Sequence, residues 1–188
     1  MTRIVLLAGP SGSGKSRLAR LLGAHAFRLD DFYFDADRPG LPRAHGIVDW
    51  DDPATWDATG AVAALSELVA TGATTVPTYS IAESRRTGVR PVALDGCDLV
   101  IAEGIFAIEL LAPARAAGLA LEPVYLDRNR TLVGALRLRR DLARKRKPVG
   151  VLLRRGLALW RDQPALRRRA LAAGFTPLSM RQALARSR

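Results

Sequence analysis

Ile4 to Ala8, IVLLA, is an unbroken apolar run that leads directly into a glycine. A run this short, without polar alternation, predicts a strand buried on both faces of a parallel sheet. From Ser16 to Ala24, SRLARLLGA, the apolar positions shift to Leu18, Leu21 and Leu22 with basic residues between them, which is helical spacing. Ala26 to Leu29 predicts a second short strand, and Asp30 to Asp52 reads as loop because Pro39, Gly40, Pro42 and Gly46 punctuate it. Asp52 followed by Pro53 looks like a helix cap with proline in the first turn. It predicts a helix to about Thr71, with Val62, Leu65, Leu68 and Val69 on its apolar face and Gly72 as its end. Thr74 to Pro77 is a further strand candidate, and Tyr79 to Gly88 is an excursion from it. Leu99 to Ala102 is a buried strand closed by Glu103 and Gly104. Helical spacing returns through Ile108, Leu111 and Ala114 despite Pro113, and Leu121 to Leu126 supplies one more strand, ending at Asp127. Helices are predicted over about 131–146, 151–161 and 164–173. Strands alternating with helices imply an α/β fold with a mainly parallel sheet flanked by helices, and ligands bind outside the carboxyl ends of such strands.

Composition narrows the setting. With 188 residues, 48% of them hydrophobic, the chain can bury one sizeable core, so a single domain over 1–188 is expected. Cys97 is the only cysteine, which excludes an intramolecular disulfide and points to a reducing compartment. The amino-terminal apolar run is too short for a signal peptide, and no run approaches the ~20 apolar residues of a membrane span. The expectation is a cytoplasmic protein without a membrane partner. Its charge is polarised: residues 1–127 hold 11 basic and 16 acidic side chains, a charge of −5, and residues 128–188 hold 18 and 2, a charge of +16. The basic part suits an anionic partner such as a nucleotide, a polynucleotide or a membrane surface, with solvated helix faces as the alternative.

Gly9 to Ser16, GPSGSGKS, satisfies the phosphate-loop pattern G-x-x-x-x-G-K-[ST] at every position, with a strand before it and a helix after. Gly9, Pro10, Ser11, Gly12, Ser13 and Gly14 would turn backbone N–H groups toward phosphate oxygens at a helix amino terminus. Lys15 would reach the terminal phosphates, Ser16 would ligate Mg²⁺, and Arg17 would flank the nucleotide. ATP or GTP with Mg²⁺ is therefore expected. Three acids fall at strand ends near this loop. Glu103, closing LVIAEG, fits a second metal role, with a helix-capping carboxylate as the alternative; Asp127, followed at once by arginines, fits an ion pair; Asp30 is the third. His25 and His45 lack metal-ligand company, and one cysteine cannot build a zinc site.

GPSGSGKS, LDDFY, DWDDP, VPTYSIAESRR, VIAEG and RLRRDLARKRK, in this order, resemble the uridine kinase family of the uridine kinase and phosphoribulokinase superfamily over roughly residues 3–147. That resemblance implies a P-loop nucleoside triphosphate hydrolase fold with a helical arginine-rich lid at about 130–150. It implies transfer of a γ-phosphate to the 5′-hydroxyl of uridine or cytidine. Carried over by position, Asp30 is the catalytic base, Tyr33 an aromatic of the site, Asp51 the acid for ribose hydroxyls with Trp50 beside it, and Tyr79 an aromatic of the base pocket. Glu83 and Arg85 fall in the base-reading segment, while Arg137, Arg140 and Arg144 fall in the lid, where arginines stabilise charge on the transferred group. With Lys147, these last three lie along one side of a helix. Trp50 as core and Asp51 or Asp52 as a helix cap are the alternatives.

Three positions depart from the family pattern. Glu83 stands where a histidine reads the base, in a stretch one residue shorter; Ile81 replaces a phenylalanine; Val133 replaces an arginine unless Arg130 or Arg137 substitutes for it. A small-molecule acceptor, a nucleoside first, is expected, with pantothenate or a sugar as the alternative. A nucleotide-switched nucleic-acid binder ranks below both. The acids at 30, 31, 35, 37, 49, 51 and 52 would repel a phosphate backbone, and RNRT near Asp127 is a poor guanine motif. A homo-oligomer is compatible with all of these readings, and residues 151–188 receive no function.

Overall fold

The computed structural model describes residues 2–44, 46–143 and 149–186, with side-chain detail except along 137–159. Its centre is a five-stranded, all-parallel sheet of β1 (Arg3–Ala8), β2 (His25–Arg28), β7 (Leu99–Glu103), β8 (Leu121–Leu126) and β9 (Thr176–Leu178), in the order β2-β7-β1-β8-β9. β1 lies between β7 and β8, with Leu7 beside Glu103 on one side and Ala8 beside Tyr125 on the other. Alternation along β1 explains its unbroken apolar run: Ile4, Leu6 and Ala8 enter one cluster, Val5 and Leu7 the other. The first cluster is covered by α2 (Ala58–Thr71), α3 (Ala107–Ala116) and α5 (Val149–Ala172). The second is covered by α1 (Lys15–Leu21) and α6 (Met180–Arg186). Burying side chains such as Leu6 and Leu7, both 0% exposed, stabilises the sheet by about 1.5–3 kcal/mol each.

Two small antiparallel units sit outside this sheet. One pairs β3 (Arg43–Ala44) with β4 (Ile47–Val48), and the other is the hairpin of β5 (Ala73–Ser80) and β6 (Arg85–Ala93), which contains the expected excursion at its tip. Two helix expectations need correction. Asp52 caps only a 3₁₀ turn over Pro53–Thr55, accepting from Ala54 N at 2.8 Å. Trp56 then turns extended and buries its indole, donating to Leu29 O at 2.8 Å, so the helix starts anew at Ala58 with Asp57 accepting from Gly60 N at 2.8 Å. Pro164 also does not divide two helices. It lies inside α5, where Gln163 and Ala170 are buried and Leu166 packs against the core, so tertiary contacts outweigh the missing proline N–H. The carboxyl-terminal residues left without a role in the sequence thus supply a sheet strand and two covering helices. α4 (Arg130–Ala143) leads from β8 toward α5.

Candidate functional site

The loop after β1 is shaped by backbone conformations that side chains resist. Gly9 has φ +147° and Gly14, at the amino terminus of α1, has φ +96°. A Cβ at Gly9 would also lie 3.3 Å from both Leu126 O and Ser13 Oγ. Ser13 N donates to Pro10 O at 3.1 Å, and the fully buried Ser13 Oγ has no hydrogen-bond partner. Lys15 Nζ donates to Gly9 O at 2.8 Å and to Pro10 O at 3.3 Å, bridging the loop from its own helix. Ser16 and Arg17 are exposed on α1. An orphaned hydroxyl, a glycine cradle and an ammonium held across it form a donor set that fits polyphosphate oxygens.

Sequence reasoning missed the residue that braces this loop. Arg128 Nη1 donates to Ser13 O at 3.1 Å, and Gln163 Nε2 of α5 donates to Arg128 O at 3.1 Å. Asp127, expected to pair with arginines beside it in sequence, instead pairs with Arg167 of α5 at 2.9 Å. The signal for Arg128 was its place directly after a strand bordering β1, but only the sheet order aims it at the loop. Glu103 closes β7 next to Leu7, one residue from the end of β1, and is partly buried there. Among the described residues no group of three or more histidine, cysteine, aspartate or glutamate side chains could hold a metal by itself.

Asp30 lies on the 3₁₀ turn Leu29–Phe32 that follows β2. Ile105 N donates to Asp30 Oδ1 at 3.2 Å, and burial raises the carboxyl pKa above its ordinary value, opposed by that hydrogen bond, Lys15 and Arg28. Asp31, the next residue, faces elsewhere. Its side chain is 6% exposed and pairs with Arg90 at 3.2 Å and Arg28 at 3.5 Å, which makes it a structural ion pair. Asp35 accepts a hydrogen bond from the backbone N–H of Arg86 at 2.7 Å.

Tyr33 centres an aromatic cluster. Its ring lies 5.4 Å from Trp50, 5.5 Å from Tyr79 and 5.6 Å from Phe106, and its hydroxyl donates to Trp50 O at 3.0 Å. Burial raises the Tyr33 pKa further above its ordinary value, and raises that of Tyr79 to about 12, so both hydroxyls stay neutral donors. Phe106 escaped notice because one aromatic after VIAEGI carries no pattern of its own. In the hairpin, the arginine turned inward is Arg86. It donates to Tyr33 O at 3.0 Å, Phe32 O at 3.2 Å and Asp57 Oδ2 at 3.1 Å, bolting the hairpin to the Asp30 turn. Arg85, Glu83 and Ile81 are exposed at the tip, Ile81 by 73%.

A cavity of about 340 Å³ opens against Gly9, Pro10 and Ser11, with Asp51, Ile105 and Phe106 also lining it and residues of α5 forming a further wall. Asp30 is one hydrogen bond away, through Ile105. Arg137 and Arg140 lie on α4 within the stretch whose side chains are not described, and Arg144 and Lys147 lie outside the described residues. Val133 is a buried core residue at 2% exposure, and Arg130 stacks 3.8 Å above the Trp160 ring.

No family model matches the chain. It is 33% identical over 159 residues to a uridine kinase of Schizosaccharomyces pombe, covering 80% of this chain and 34% of that protein. It is 29% identical over 161 residues to a uridine kinase of Tolumonas auensis, covering 80% of this chain and 73% of that one. The chain therefore spans about a third of the first relative and about three quarters of the second. A protein from Silicibacter sp. TM1040, named for a proposed role as a fructose transport system kinase, superposes with TM-score 0.60 at 22% identity, over 95% of this chain and 88% of its own. A proposed uridine kinase from Bacillus stearothermophilus superposes with TM-score 0.51 at 21% identity, over 70% and 74%. The resemblance to the uridine kinase family read from the motifs is borne out by the sequence relatives, and the mainly parallel sheet flanked by helices by the solved structures.

Proposed function

From the premise that the chain is a uridine kinase relative on a P-loop kinase fold, we propose that it is a phosphotransferase moving the γ-phosphate of ATP or GTP to a small-molecule hydroxyl, the 5′-hydroxyl of uridine or cytidine in the first reading. The observation that carries the proposal is the shared wall: the phosphate loop and Ile105, which holds the buried carboxyl of Asp30, border one cavity. Backbone N–H groups of the loop and Lys15 bind the triphosphate. Ser16 and Glu103 would hold Mg²⁺, which supplies charge neutralisation between the outer phosphates when bound. Asp30 accepts the proton of the attacking hydroxyl as the oxygen–phosphorus bond forms and the bond to the nucleoside diphosphate breaks. Its burial makes it a stronger proton acceptor than an ordinary aspartate. Asp51 orients further acceptor hydroxyls beside the Tyr33, Trp50 and Tyr79 rings. Arg137, Arg140 and Arg144 are the proposed lid cations.

A sugar acceptor is the second reading, favoured by the exposed positions of Ile81 and Glu83, which leave no base-reading group on the cavity from the hairpin tip. No helix among the described residues is long and apolar enough to cross a membrane. The test is product formation with MgATP or MgGTP over a panel of uridine, cytidine, D-fructose and pantothenate. Lys15→Met is expected to abolish transfer to whichever acceptor is used. Transfer to none of them, or full activity in Lys15→Met, refutes the proposal.

A further inference from the structure

The cavity beside the phosphate loop has a wall that no motif announced. Asp162 and Leu166 of α5 line it together with Gly9, Asp51 and Phe106. Residues 128–188 carry 18 basic side chains and only two acids, Asp141 and Asp162. Against that background an acid lining the cavity stands out. The neighbouring arginines do not neutralise it: Arg167 is paired with Asp127 at 2.9 Å and Arg169 with Glu109 at 2.6 Å. Among the described residues the Asp162 carboxylate has neither an ion-pair nor a hydrogen-bond partner. Its backbone position is nevertheless secured, because the adjacent Gln163 is buried and donates to Arg128 O. The hairpin contributes no residue to this lining.

We infer that Asp162 is a specificity-determining residue of the acceptor site, a carboxylate that accepts a hydrogen bond from a donor remote from the hydroxyl being phosphorylated. The inference rests on the phosphotransferase reading above. A carboxylate can only accept, so the group it reads must be an N–H or O–H. The exocyclic amine of cytosine and a further hydroxyl of a sugar share that chemistry. With Asp51 and Asp162 both lining the cavity and Arg169 already paired, an anionic acceptor such as pantothenate is disfavoured.

The test compares wild type, Asp162→Asn and Asp162→Ala in steady-state phosphotransfer with cytidine, uridine and D-fructose, alongside thermal denaturation. Asp162 is exposed, so melting should not change. The acceptor KM should rise about tenfold or more in Asp162→Ala, with kcat and the KM for ATP within about threefold of wild type. A loss confined to cytidine identifies the amine, and a loss on fructose identifies the hydroxyl. Acceptor KM values within twofold of wild type in both variants overturn the inference while leaving the phosphotransferase reading intact. A wild-type protein that phosphorylates none of the three overturns both.

Discussion

Gly104→Ala should damage catalysis through one methyl group. Gly104 is buried immediately after β7, and a Cβ there would lie 2.6 Å from Leu29 Cβ and 2.8 Å from Asp30 Oδ1. Both separations fall at least 0.6–0.8 Å short of the 3.4 Å at which ordinary van der Waals contact begins. Leu29 is 0% exposed and cannot retreat without disturbing the core, so the turn carrying Asp30 must move. Overpacking of this kind costs about 1–3 kcal/mol. At ~2–4 °C per kcal/mol for a domain of this size, the melting temperature should fall by about 3–10 °C. Moving a reacting group by a sizeable fraction of an ångström should lower kcat by about 10–100-fold. The KM for ATP should stay near wild type, because the phosphate loop hangs from β1. The assay is initial-rate phosphotransfer with the best acceptor of the panel, paired with a thermal melt. A lowered melting temperature with undiminished kcat would refute Asp30 as the proton acceptor, and unchanged values of both would refute the steric argument itself.

Burial raises the pKa of Asp30, so the folded chain holds this proton more tightly than the unfolded chain does. Stability is then lost as pH rises from the ordinary aspartate pKa through the raised one, and at neutral pH the charged carboxylate is a cost. Asp30→Asn should therefore melt at or above wild type at pH 7, with a smaller gain near pH 4, while transfer falls by about 10²–10⁴-fold. A lower melting temperature at neutral pH would count against the burial argument. Arg90→Met removes the nearer partner of Asp31, whose side chain is 6% exposed, and leaves Arg28 at 3.5 Å. Stranding a buried carboxylate costs several kcal/mol, but Arg90 is 42% exposed, so about 1–2 kcal/mol is expected in urea denaturation. Nucleotide binding measured on the same variant should be unchanged.

Local chemistry alone determined the strand, glycine loop and first helix at the amino terminus. A five-residue apolar run can be satisfied only by burial on both faces, and GPSGSGKS dictates its own backbone turns. The same holds for β8, whose bounds match the expectation from Leu121 to Leu126. Asp52-Pro53 misled because a cap signal specifies a turn and not its continuation; Trp56 ended that turn through a bond to Leu29, 27 residues away. Pro164 misled in the opposite sense, since helix packing on the core overrode a local breaker.

The site divides in the same way. Asp30, Tyr33, Asp51 and Tyr79 could be singled out as candidates because they fall in short ordered motifs. Arg86, Arg128 and Asp162 were not, since each matters through partners 29 to 115 positions away or through a cavity shared with other elements. Asp30 and Asp31 make the point most directly. They are chemically identical neighbours on one short turn, yet one meets Ile105 beside the phosphate loop and the other meets Arg90 of the hairpin. Sequence placed two carboxylates at the end of a strand. The direction in which the turn aims each one was decided by the elements packed around it.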